Sequence, residues 1–433
     1  MPVLDYESKE QNLSERDKKY LWHPLTQHKI SPEMLAIETA KGAKLYDEAG
    51  KEYIDGIASW YTCMYGHCNE YITSRVAAQM QKLDQVVFSG FTHRPAVELS
   101  EALMKILPAN QQKIFFNDNG STATEIGIKM ALQYHHNQGN DRKVMLAFED
   151  GFHGDTFGAM SVSGLSVYNG AFVDHFIEVV RIPTPDGTNN SAVIDKLKKL
   201  ISENKLAGFI YEPLVQGAAA MKMHDAEGLE EILDICKQHE IICVADEVMT
   251  GFGKTGKYFA SDYLKTQPDI VCMSKALTAG LLPMGLTSCT QAVYDAFYSD
   301  ELAKGLFHGH TYSANPLACT AALAGIELLT SKDIQKDISR VIKSHQDFNA
   351  RIKDHPKVTN TRQLGVIYAF DLDVKMERYG NLRNQLFKHF MDSGIFLRPL
   401  GNTIYILAPY IISNDELNKI YTSIEAVLQK FGN

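Results

Sequence analysis

Short, continuous apolar runs alternate with segments of helical periodicity from about residue 97 to residue 290 of the chain. In a parallel sheet that helices cover on both faces, strands are apolar throughout because neither face meets water. The apolar runs therefore predict strands, here at residues 113–117, 143–148, 207–213, 241–246, 269–274 and 285–290. Their alternation with helices predicts an α/β fold with a mostly parallel sheet.

The pattern changes after about residue 320. It predicts a long helix over 317–330 and beyond, a strand at 366–372, a helix near 381–393, and strands at 395–399 and 403–409. A final helix is predicted to begin at a capping box of Ser413 and Glu416. Its apolar residues recur at helical spacing, namely Leu417, Ile420, Ile424, Val427 and Phe431. These elements indicate a smaller α+β domain.

Length also favours more than one domain, because single cores stop growing at about 250–300 residues and this chain has 433. The stretch "AKLYDEAGKEYID" predicts a hairpin around Ala49 and Gly50. We predict an N-terminal segment (1–65) that packs with the small domain, a large domain (66–320) and a C-terminal small domain (321–433).

Charge and cysteine content exclude several classes of protein. The net charge of −9 argues against nucleic acid or an anionic membrane as the main partner. Seven scattered cysteines without a C-x-x-C pair argue against structural zinc and a disulfide framework, and favour a reducing cytoplasm. The N-terminus is charged throughout, unlike a signal peptide, and no apolar run approaches the ~20 residues of a membrane span. No metal is expected, since His308 and His310 have no acidic cluster beside them.

Two charged residues follow apolar strands at points where ligands bind. In an open α/β sheet, ligands bind outside the carboxyl ends of the strands. Asp246 ends the predicted strand "IICVAD", and Lys275 follows the predicted strand "DIVCMS" and precedes small and apolar residues. Taken singly, Asp246 is more simply interpreted as a helix cap and Lys275 as a lysine with a buried stem.

A third feature is a glycine turn between a strand and a helix. Gly120 lets the backbone come close, and Ser121 and Thr122 offer hydroxyls beside the unpaired N–H groups of a helix start. Such a start attracts phosphate, although a capped helix that binds nothing is the simpler interpretation. Thr122 and Glu125 also fit a capping box. Neither the P-loop pattern nor G-x-G-x-x-G occurs here.

Together the three features fit pyridoxal phosphate (PLP). Its phosphate needs donors, its ring nitrogen needs a carboxylate, and its aldehyde needs a lysine for a Schiff base. Burial can lower the pKa of a lysine by up to ~3–5 units, which makes the free amine available as nucleophile and base. The apolar surroundings of Lys275 are thereby explained.

Several longer motifs resemble a known family. The motifs "EPLVQGAAAM", "ADEVMTGFGKTG", "SKALTAG" and "HGHTYSANPLACTAA" resemble the class III, ornithine-type aminotransferases of fold type I. The motifs "YLWHPLTQH", "IDGIASWYTCMYGH", "GFHGDTFGAMSVSG" and "FLRPLGNTIYILAPYII" are similar to one branch. Its members move an amino group from S-adenosylmethionine to 8-amino-7-oxononanoate in biotin synthesis, giving 7,8-diaminononanoate by a ping-pong PLP mechanism.

The resemblance covers about residues 20–430 and implies the fold and the roles of several residues. It implies a mostly parallel, seven-stranded sheet in a large PLP-binding domain. Lys275 would form the Schiff base, and Asp246 would pair with the ring nitrogen. Gly120 and Ser121 would hold the phosphate, and Phe152 would stack on the cofactor ring.

The resemblance also implies a homodimer with its active sites at the interface. Gly309, His310 and Thr311 would reach the site of the neighbouring subunit, where Thr311 would touch the phosphate. Trp60 would form a wall of the substrate pocket, and Arg398 would bind the carboxylate of the oxononanoate. Without the resemblance, Trp60 would be interpreted as a core residue and Arg398 as a surface charge.

Three further residues have weaker assignments. Tyr61 beside Trp60 is either part of the pocket or part of the packing, and we slightly favour the pocket. Glu212 and Gln216 of "EPLVQG" are expected to support the site from behind.

Four positions depart from the pattern of that branch. Leu25, in the substrate pocket, and Phe152 replace tyrosines, and Lys254 and His310 replace an arginine and a proline. These changes leave the residues for PLP in place but bear on the amino donor, which in some relatives is lysine. Three alternatives stay open: another class III ω-aminotransferase, a PLP-binding scaffold protein without activity, and a doubly wound binding module that does not bind PLP.

Overall fold

The computed structural model describes residues 13–166, 169–374 and 381–430. The strands in these ranges are β1 (Ile37–Lys41), β2 (Lys44–Asp47), β3 (Glu52–Asp55), β4 (Gln111–Asn117), β5 (Val144–Phe148), β6 (Val179–Ile182), β7 (Leu206–Tyr211), β8 (Val215–Gln216), β9 (Lys222–Met223), β10 (Ile242–Asp246), β11 (Ile270–Met273), β12 (Gly285–Thr290), β13 (Val358–Leu364), β14 (Ile367–Leu372), β15 (Ile395–Phe396) and β16 (Thr403–Ile406).

The helices of the described ranges are α1 (Leu13–Tyr20), α2 (Ala58–Tyr61), α3 (Glu70–Met80), α4 (Arg94–Leu103), α5 (Gly120–Asn137), α6 (Phe157–Val162), α7 (Asn190–Glu203), α8 (Ala226–Gln238), α9 (Gln291–Asp295), α10 (Pro316–Leu329), α11 (Lys332–Ile352), α12 (Asn381–Asp392) and α13 (Asn414–Lys430). Short 3₁₀ turns occur at Gly170–His175, Ala260–Tyr263, Lys275–Thr278 and Leu302–Lys304.

A seven-stranded sheet in the order β4-β12-β11-β10-β7-β5-β6 forms the centre of the larger part. All six strands predicted for this region occur, each to within two residues at either end. Only β12 runs antiparallel to its neighbours, so the prediction of a mostly parallel sheet in an α/β fold is confirmed. The seventh strand, β6, was not predicted, because it is short, pairs only with β5 and carries Arg181 within its apolar run.

Helix α5 crosses this sheet at close range. A side chain at Gly127 would place its Cβ 2.9 Å from both Cys272 Sγ of β11 and Val244 Cγ1 of β10. Since real Cβ atoms do not approach so closely, glycine is required here for the helix to lie against the strands. The N-terminus of α5 is thereby placed beside the carboxyl ends of β10 and β11.

The C-terminal part has its own antiparallel sheet in the order β13-β14-β16. The helix predicted from residue 317 does not continue as one helix. It ends at Leu329, and Ser331 caps a second helix, α11, by accepting a hydrogen bond from the Ile334 amide at 3.3 Å. The predicted strands at 395–399 and 403–409 are shorter, because only Ile395–Phe396 and Thr403–Ile406 pair.

The final helix begins as predicted. Ser413 Oγ accepts a hydrogen bond from the Glu416 amide at 3.2 Å, and Glu416 Oε2 accepts one from the Ser413 amide at 2.8 Å. Its four predicted apolar positions up to Val427 are buried, which confirms the predicted face. The fifth, Phe431, lies outside the described residues.

The N-terminal hairpin joins the C-terminal part through a parallel strand pair. Strands β2 and β3 form the predicted hairpin, with Gly50 at φ +78° in the turn. Ile54 of β3 pairs with Ile395 of β15, and both side chains lie in the same buried cluster. The domain boundaries at residues 65 and 320 stay a prediction. Within the described ranges, no helix combines the length and apolar character that crossing a membrane requires.

Candidate active site

Asp246 and Lys275, the two charged residues predicted at strand ends, lie at the carboxyl ends of neighbouring parallel strands. Asp246 is the last residue of β10 and pairs in register with Cys272 of β11. Lys275 follows β11 after Ser274, whose hydroxyl donates to the Met284 carbonyl at 2.6 Å. The carboxylate and the lysine therefore leave the same edge of the sheet, where an open α/β sheet binds its ligands.

A histidine that the sequence analysis did not assign fixes the Asp246 carboxylate. His153 Nδ1 lies 2.7 Å from Asp246 Oδ2, and both side chains are buried. The backbone of His153 is held on both sides, since its amide donates to Ser163 Oγ at 2.9 Å and its carbonyl accepts from Thr124 Oγ1 at 2.8 Å. The Val248 amide donates to the other carboxylate oxygen at 3.1 Å. The carboxylate thus has one fixed orientation.

Lys275 occupies a constrained and largely apolar position. It has φ +49°, in the left-handed region, and begins a 3₁₀ turn that ends with Ala279 at φ +56°. Burial lowers the pKa of Lys275, and the negative charges of Asp246 and Glu212 act in the opposite direction. Because a lower pKa increases the fraction of free amine at neutral pH, the position suits a nucleophile or a base.

The turn before α5 has the close approach that a phosphate site needs, but its cap differs from the prediction. The capping box joins Asn119 and Thr122: Asn119 Oδ1 accepts from the Thr122 amide at 3.0 Å, and Thr122 Oγ1 accepts from the Asn119 amide at 3.2 Å. The prediction of a box between Thr122 and Glu125 is wrong. Glu125 Oε1 instead accepts from the Gly158 amide at 2.7 Å, because α6 packs against α5 here.

Two glycines bring backbone against the start of α5. A Cβ at Gly120 would lie 2.9 Å from Val248 Cγ1, and a Cβ at Gly154, which has φ +127°, would lie 2.2 Å from Ser121 Oγ. Ser121 Oγ also accepts a hydrogen bond from the Asp155 amide at 3.2 Å. The helix N-terminus, a hydroxyl and close backbone amides therefore meet at one place, a combination that favours an anion.

Aromatic residues and one arginine lie near Lys275. The Lys275 amine lies 5.6 Å from the centre of the Tyr61 ring, and Tyr61 donates its hydroxyl to the Tyr405 hydroxyl at 2.9 Å. The Arg398 guanidinium lies 4.8 Å from the centre of the Trp60 ring, which is 42% exposed. One face of Tyr61 thus lies toward the lysine while its hydroxyl is used in packing.

Glu212 and Gln216, which were expected behind the site, differ in their contacts. Glu212 accepts hydrogen bonds from the Phe152 and Gly217 amides, both at 3.0 Å. Burial, opposed by His153 and reinforced by Asp246, raises the pKa of Glu212 to about 7. Gln216 is fully buried, and neither atom of its amide has a hydrogen-bond partner among the described residues.

The segment 307–313 lies at the surface of the single chain. Gly309 and Thr311 are exposed, and the Thr311 carbonyl accepts a hydrogen bond from Gln85 Nε2 at 2.8 Å. The ring of His310 accepts from the Tyr312 amide at 3.2 Å, which gives the segment a tight turn. The ring of His308 contacts the Lys129 amine at 3.1 Å.

The other three positions that depart from the sequence pattern of the branch lie in different surroundings. Leu25 is 52% exposed with φ +52°, and the Phe152 ring is 41% exposed. Lys254 is fully buried and donates to the Gly251 carbonyl at 2.9 Å. Burial, and next the charge of Lys275, hold the pKa of Lys254 well below its usual range.

These residues fit PLP by their chemistry. A carboxylate of fixed orientation suits a protonated ring nitrogen, a lysine of lowered pKa suits an aldehyde, and the glycine-lined start of α5 suits a phosphate. The buried His153 Nε2, which has no partner within the described ranges, offers one further polar contact. The fold and the site together define a pyridoxal phosphate-dependent enzyme of fold type I.

Comparisons with known proteins give the family. Residues 26–428 match the family model described as Aminotransferase class-III. A curated relative, the adenosylmethionine-8-amino-7-oxononanoate aminotransferase of Synechococcus elongatus, is 39% identical over 95% of this chain and 99% of its own length. The chain belongs to the class III aminotransferases, and it is a PLP-dependent aminotransferase, as the sequence motifs predicted.

Two solved structures resemble the fold closely. One is the adenosylmethionine-8-amino-7-oxononanoate aminotransferase of Methanocaldococcus jannaschii, with a TM-score of 0.88 and 30% identity over 96% of this chain and 98% of that one. The other is an amine transaminase from an uncultivated Pseudomonas species in its PLP-bound form. It has a TM-score of 0.89 and 27% identity over 95% of this chain and 99% of that one.

Proposed function

We propose that the enzyme transfers an amino group from S-adenosylmethionine to 8-amino-7-oxononanoate, giving 7,8-diaminononanoate in biotin biosynthesis. The contact of Arg398 with the Trp60 ring, next to the ring of Tyr61 that faces Lys275, carries this proposal. A cation on an aromatic wall suits an acceptor that has an apolar chain and a terminal carboxylate. Curated relatives named for this reaction, at 31% and 39% identity over nearly the whole chain, support it.

The cofactor would be held by Asp246, Phe152 and the start of α5. Asp246, oriented by His153, would keep the ring nitrogen protonated, and the ring of Phe152 would stack on the cofactor ring. Gly120 and Ser121 bind the phosphate. When bound, PLP would supply an electron sink for breaking the Cα–H bond of a substrate.

Lys275 has two roles, as the covalent anchor of the cofactor and as the carrier of a proton. Its lowered pKa leaves a free amine that would accept and hold the proton from the substrate Cα. Tyr61 restricts the position of the amine, since its ring lies against the lysine. Together with the buried surroundings, this contact limits the access of water to the reacting amine.

The donor is the part of the reaction on which the sequence departures bear. Leu25 and Phe152 stand where the branch has tyrosines, so the cleft has two fewer hydroxyls with which to bind a polar donor. This observation favours lysine as a second candidate donor.

A homodimer is the proposed assembly. Phe307 and Tyr312, which flank Gly309, His310 and Thr311, are 69% and 63% exposed in the single chain. Large exposed aromatic side chains in one segment are typical of an interface. Through that interface Gly309, His310 and Thr311 would reach the active site of the other subunit, where Thr311 would touch the cofactor phosphate. The seven unpaired cysteines support a reducing cytoplasm as the location.

The experiment is an assay of purified protein with 8-amino-7-oxononanoate and single donors, with 7,8-diaminononanoate measured by mass spectrometry. S-adenosylmethionine is expected to support the product at the highest kcat/KM, with lysine below it. In the Arg398→Met protein the KM for 8-amino-7-oxononanoate rises by about tenfold or more, whereas the reaction with the donor alone is unchanged. Product from lysine but not from S-adenosylmethionine would overturn the donor, and no product from any donor would overturn the acceptor.

A further inference from the structure

Glu212 joins two loops of the cleft through a single buried carboxylate. Its Oε2 accepts a hydrogen bond from the amide of Phe152 and its Oε1 accepts one from the amide of Gly217, each at 3.0 Å. The residue is 4% exposed and follows directly on β7. Since each oxygen serves a different loop, the carboxylate fixes the backbone at Phe152 relative to the backbone at Gly217.

The charge of Glu212 is also close to the reacting groups. Glu212 accepts from the amide of Phe152, the residue before His153, whose ring contacts Asp246 at 2.7 Å. Its negative charge opposes the lowering of the pKa of Lys275 by burial. Only the ionised carboxylate can accept at both oxygens without placing a proton of its own in the buried space. Protonation of Glu212 therefore weakens the acceptor for one of the two loops and removes a negative charge near Lys275.

We propose that Glu212 is a positioning residue of the active site. Its carboxylate holds the Phe152 backbone in place for the cofactor ring, and its charge maintains the basicity of the Lys275 amine. This inference rests on the proposed roles of Phe152 and Lys275, and it does not depend on which donor or acceptor the enzyme uses.

Three variants separate these two effects. Glu212→Gln keeps the size of the side chain, loses the charge and turns an N–H toward one of the two amides. Glu212→Asp keeps the charge but draws the oxygens back by one methylene. Glu230→Gln is the matched control, because Glu230 on α8 also accepts from two backbone amides, Lys265 at 2.8 Å and Thr266 at 2.7 Å.

Hydrogen exchange of the holoenzyme tests the loop contacts. Peptides that contain Phe152 and Gly217 are expected to exchange at least about fivefold faster in Glu212→Gln and Glu212→Asp. In Glu230→Gln only the peptide with Lys265 and Thr266 changes. Exchange at wild-type rates in folded Glu212→Asp overturns the positioning role, even if the glutamine variant fails to fold.

The basicity of Lys275 tests the effect of the charge. Trace acetylation of the full chain freed of cofactor, with acetic anhydride over a range of pH, gives the titration midpoint of the Lys275 amine. The midpoint is expected to fall by about half a pH unit or more in Glu212→Gln, and to stay near wild type in Glu212→Asp and Glu230→Gln. The acidic limb of the kcat/KM profile for the half-reaction with the amino donor alone is expected to shift in the same direction.

An unchanged midpoint and an unchanged pH profile in folded Glu212→Gln overturn the electrostatic role. If Glu212→Gln does not fold, a midpoint lowered by half a unit in Glu212→Asp overturns it, because that variant keeps the charge. Neither readout uses 8-amino-7-oxononanoate, so the positioning role and the proposed reaction fail independently.

Discussion

His153 donates its Nδ1 proton to the Asp246 carboxylate at 2.7 Å, and both side chains are buried at the carboxyl edge of the sheet. The contact gives Asp246 one orientation, with Val248 holding its second oxygen. A carboxylate that is fixed in this way would not lose rotamer freedom on pairing with a ring nitrogen, the role we propose for Asp246. His153 is therefore a positioning residue for Asp246.

Replacing His153 by alanine is expected to lower kcat/KM by about 10- to 100-fold, as the loss of a supporting hydrogen bond does at metal ligands. The cofactor is expected to bind more weakly in the same variant, as measured by the concentration of PLP that restores activity. His135→Ala is the control, since His135 is also buried and bonded, to the Ala207 carbonyl at 3.0 Å, but lies away from the strand ends. Equal losses in both variants would show that His153 serves only packing.

Gly154→Ala is expected to weaken PLP binding strongly. The added Cβ would lie 2.2 Å from Ser121 Oγ, and the residue has φ +127°, so the Ser121 hydroxyl must move from the start of α5. Equilibrium dialysis of PLP against the folded variant measures the effect. Gly139→Ala, at φ +75° with open space around it, is the control for backbone strain alone, which costs about 1 kcal/mol. Wild-type affinity in Gly154→Ala would contradict the assignment of the phosphate site.

Stability is expected to fall on the alkaline side because of His67. Burial lowers the pKa of His67, but its hydrogen bonds with Asp55, at 2.8 Å, and with Cys63 raise that pKa to about 10 from 6.5. A folded-state pKa above the unfolded one means that the stabilisation is fully present below pH 6.5 and is lost as the pH rises toward 10. In His67→Asn, the free energy of unfolding from urea denaturation is expected to change less with pH between pH 6.5 and pH 10. The same pH dependence as in the wild-type protein would contradict a stabilising contact between His67 and Asp55. The control is His136→Asn, at an exposed position.

Helix α5 is expected to support the segment 307–313, which we propose to reach the active site of the other subunit. Gln133 donates to the Gly305 carbonyl at 2.9 Å, and Lys129 contacts His308, so one face of the helix holds the backbone just before Gly309. Gln133→Leu is expected to weaken PLP binding by about three- to tenfold without changing the fraction of dimer in sedimentation. Gln138→Leu, at the exposed end of the helix, is the control. A monomer in the wild-type protein would instead contradict the dimer.

The sequence was most informative where burial is uniform. The strands before Asp246 and Lys275 are apolar on both faces, so the pattern alone located them and the strand-end rule placed their charged residues together. Strands β6 and β13 were missed because they are half-exposed and contain polar residues, such as Arg181 and Gln363. Such strands are formed by pairing with a neighbour, which one segment of sequence does not reveal.

Contacts between distant segments explain the other differences. The capping box was assigned to Thr122 and Glu125 from spacing, but α6 recruits Glu125 and leaves Asn119 to cap α5. His153 was overlooked because its partner Asp246 is 93 residues away in the chain. Its position directly after Phe152, a residue already assigned to the site, was the one available signal.

Borohydride reduction of the holoenzyme, followed by proteolysis and peptide mapping, tests the central claim most directly. One pyridoxyl group per chain is expected, on Lys275. None is expected in the Lys275→Ala protein, which retains the cofactor without a covalent link and loses nearly all turnover. A pyridoxyl group on Lys254, the fully buried lysine nearby, or on no lysine at all, would contradict the account.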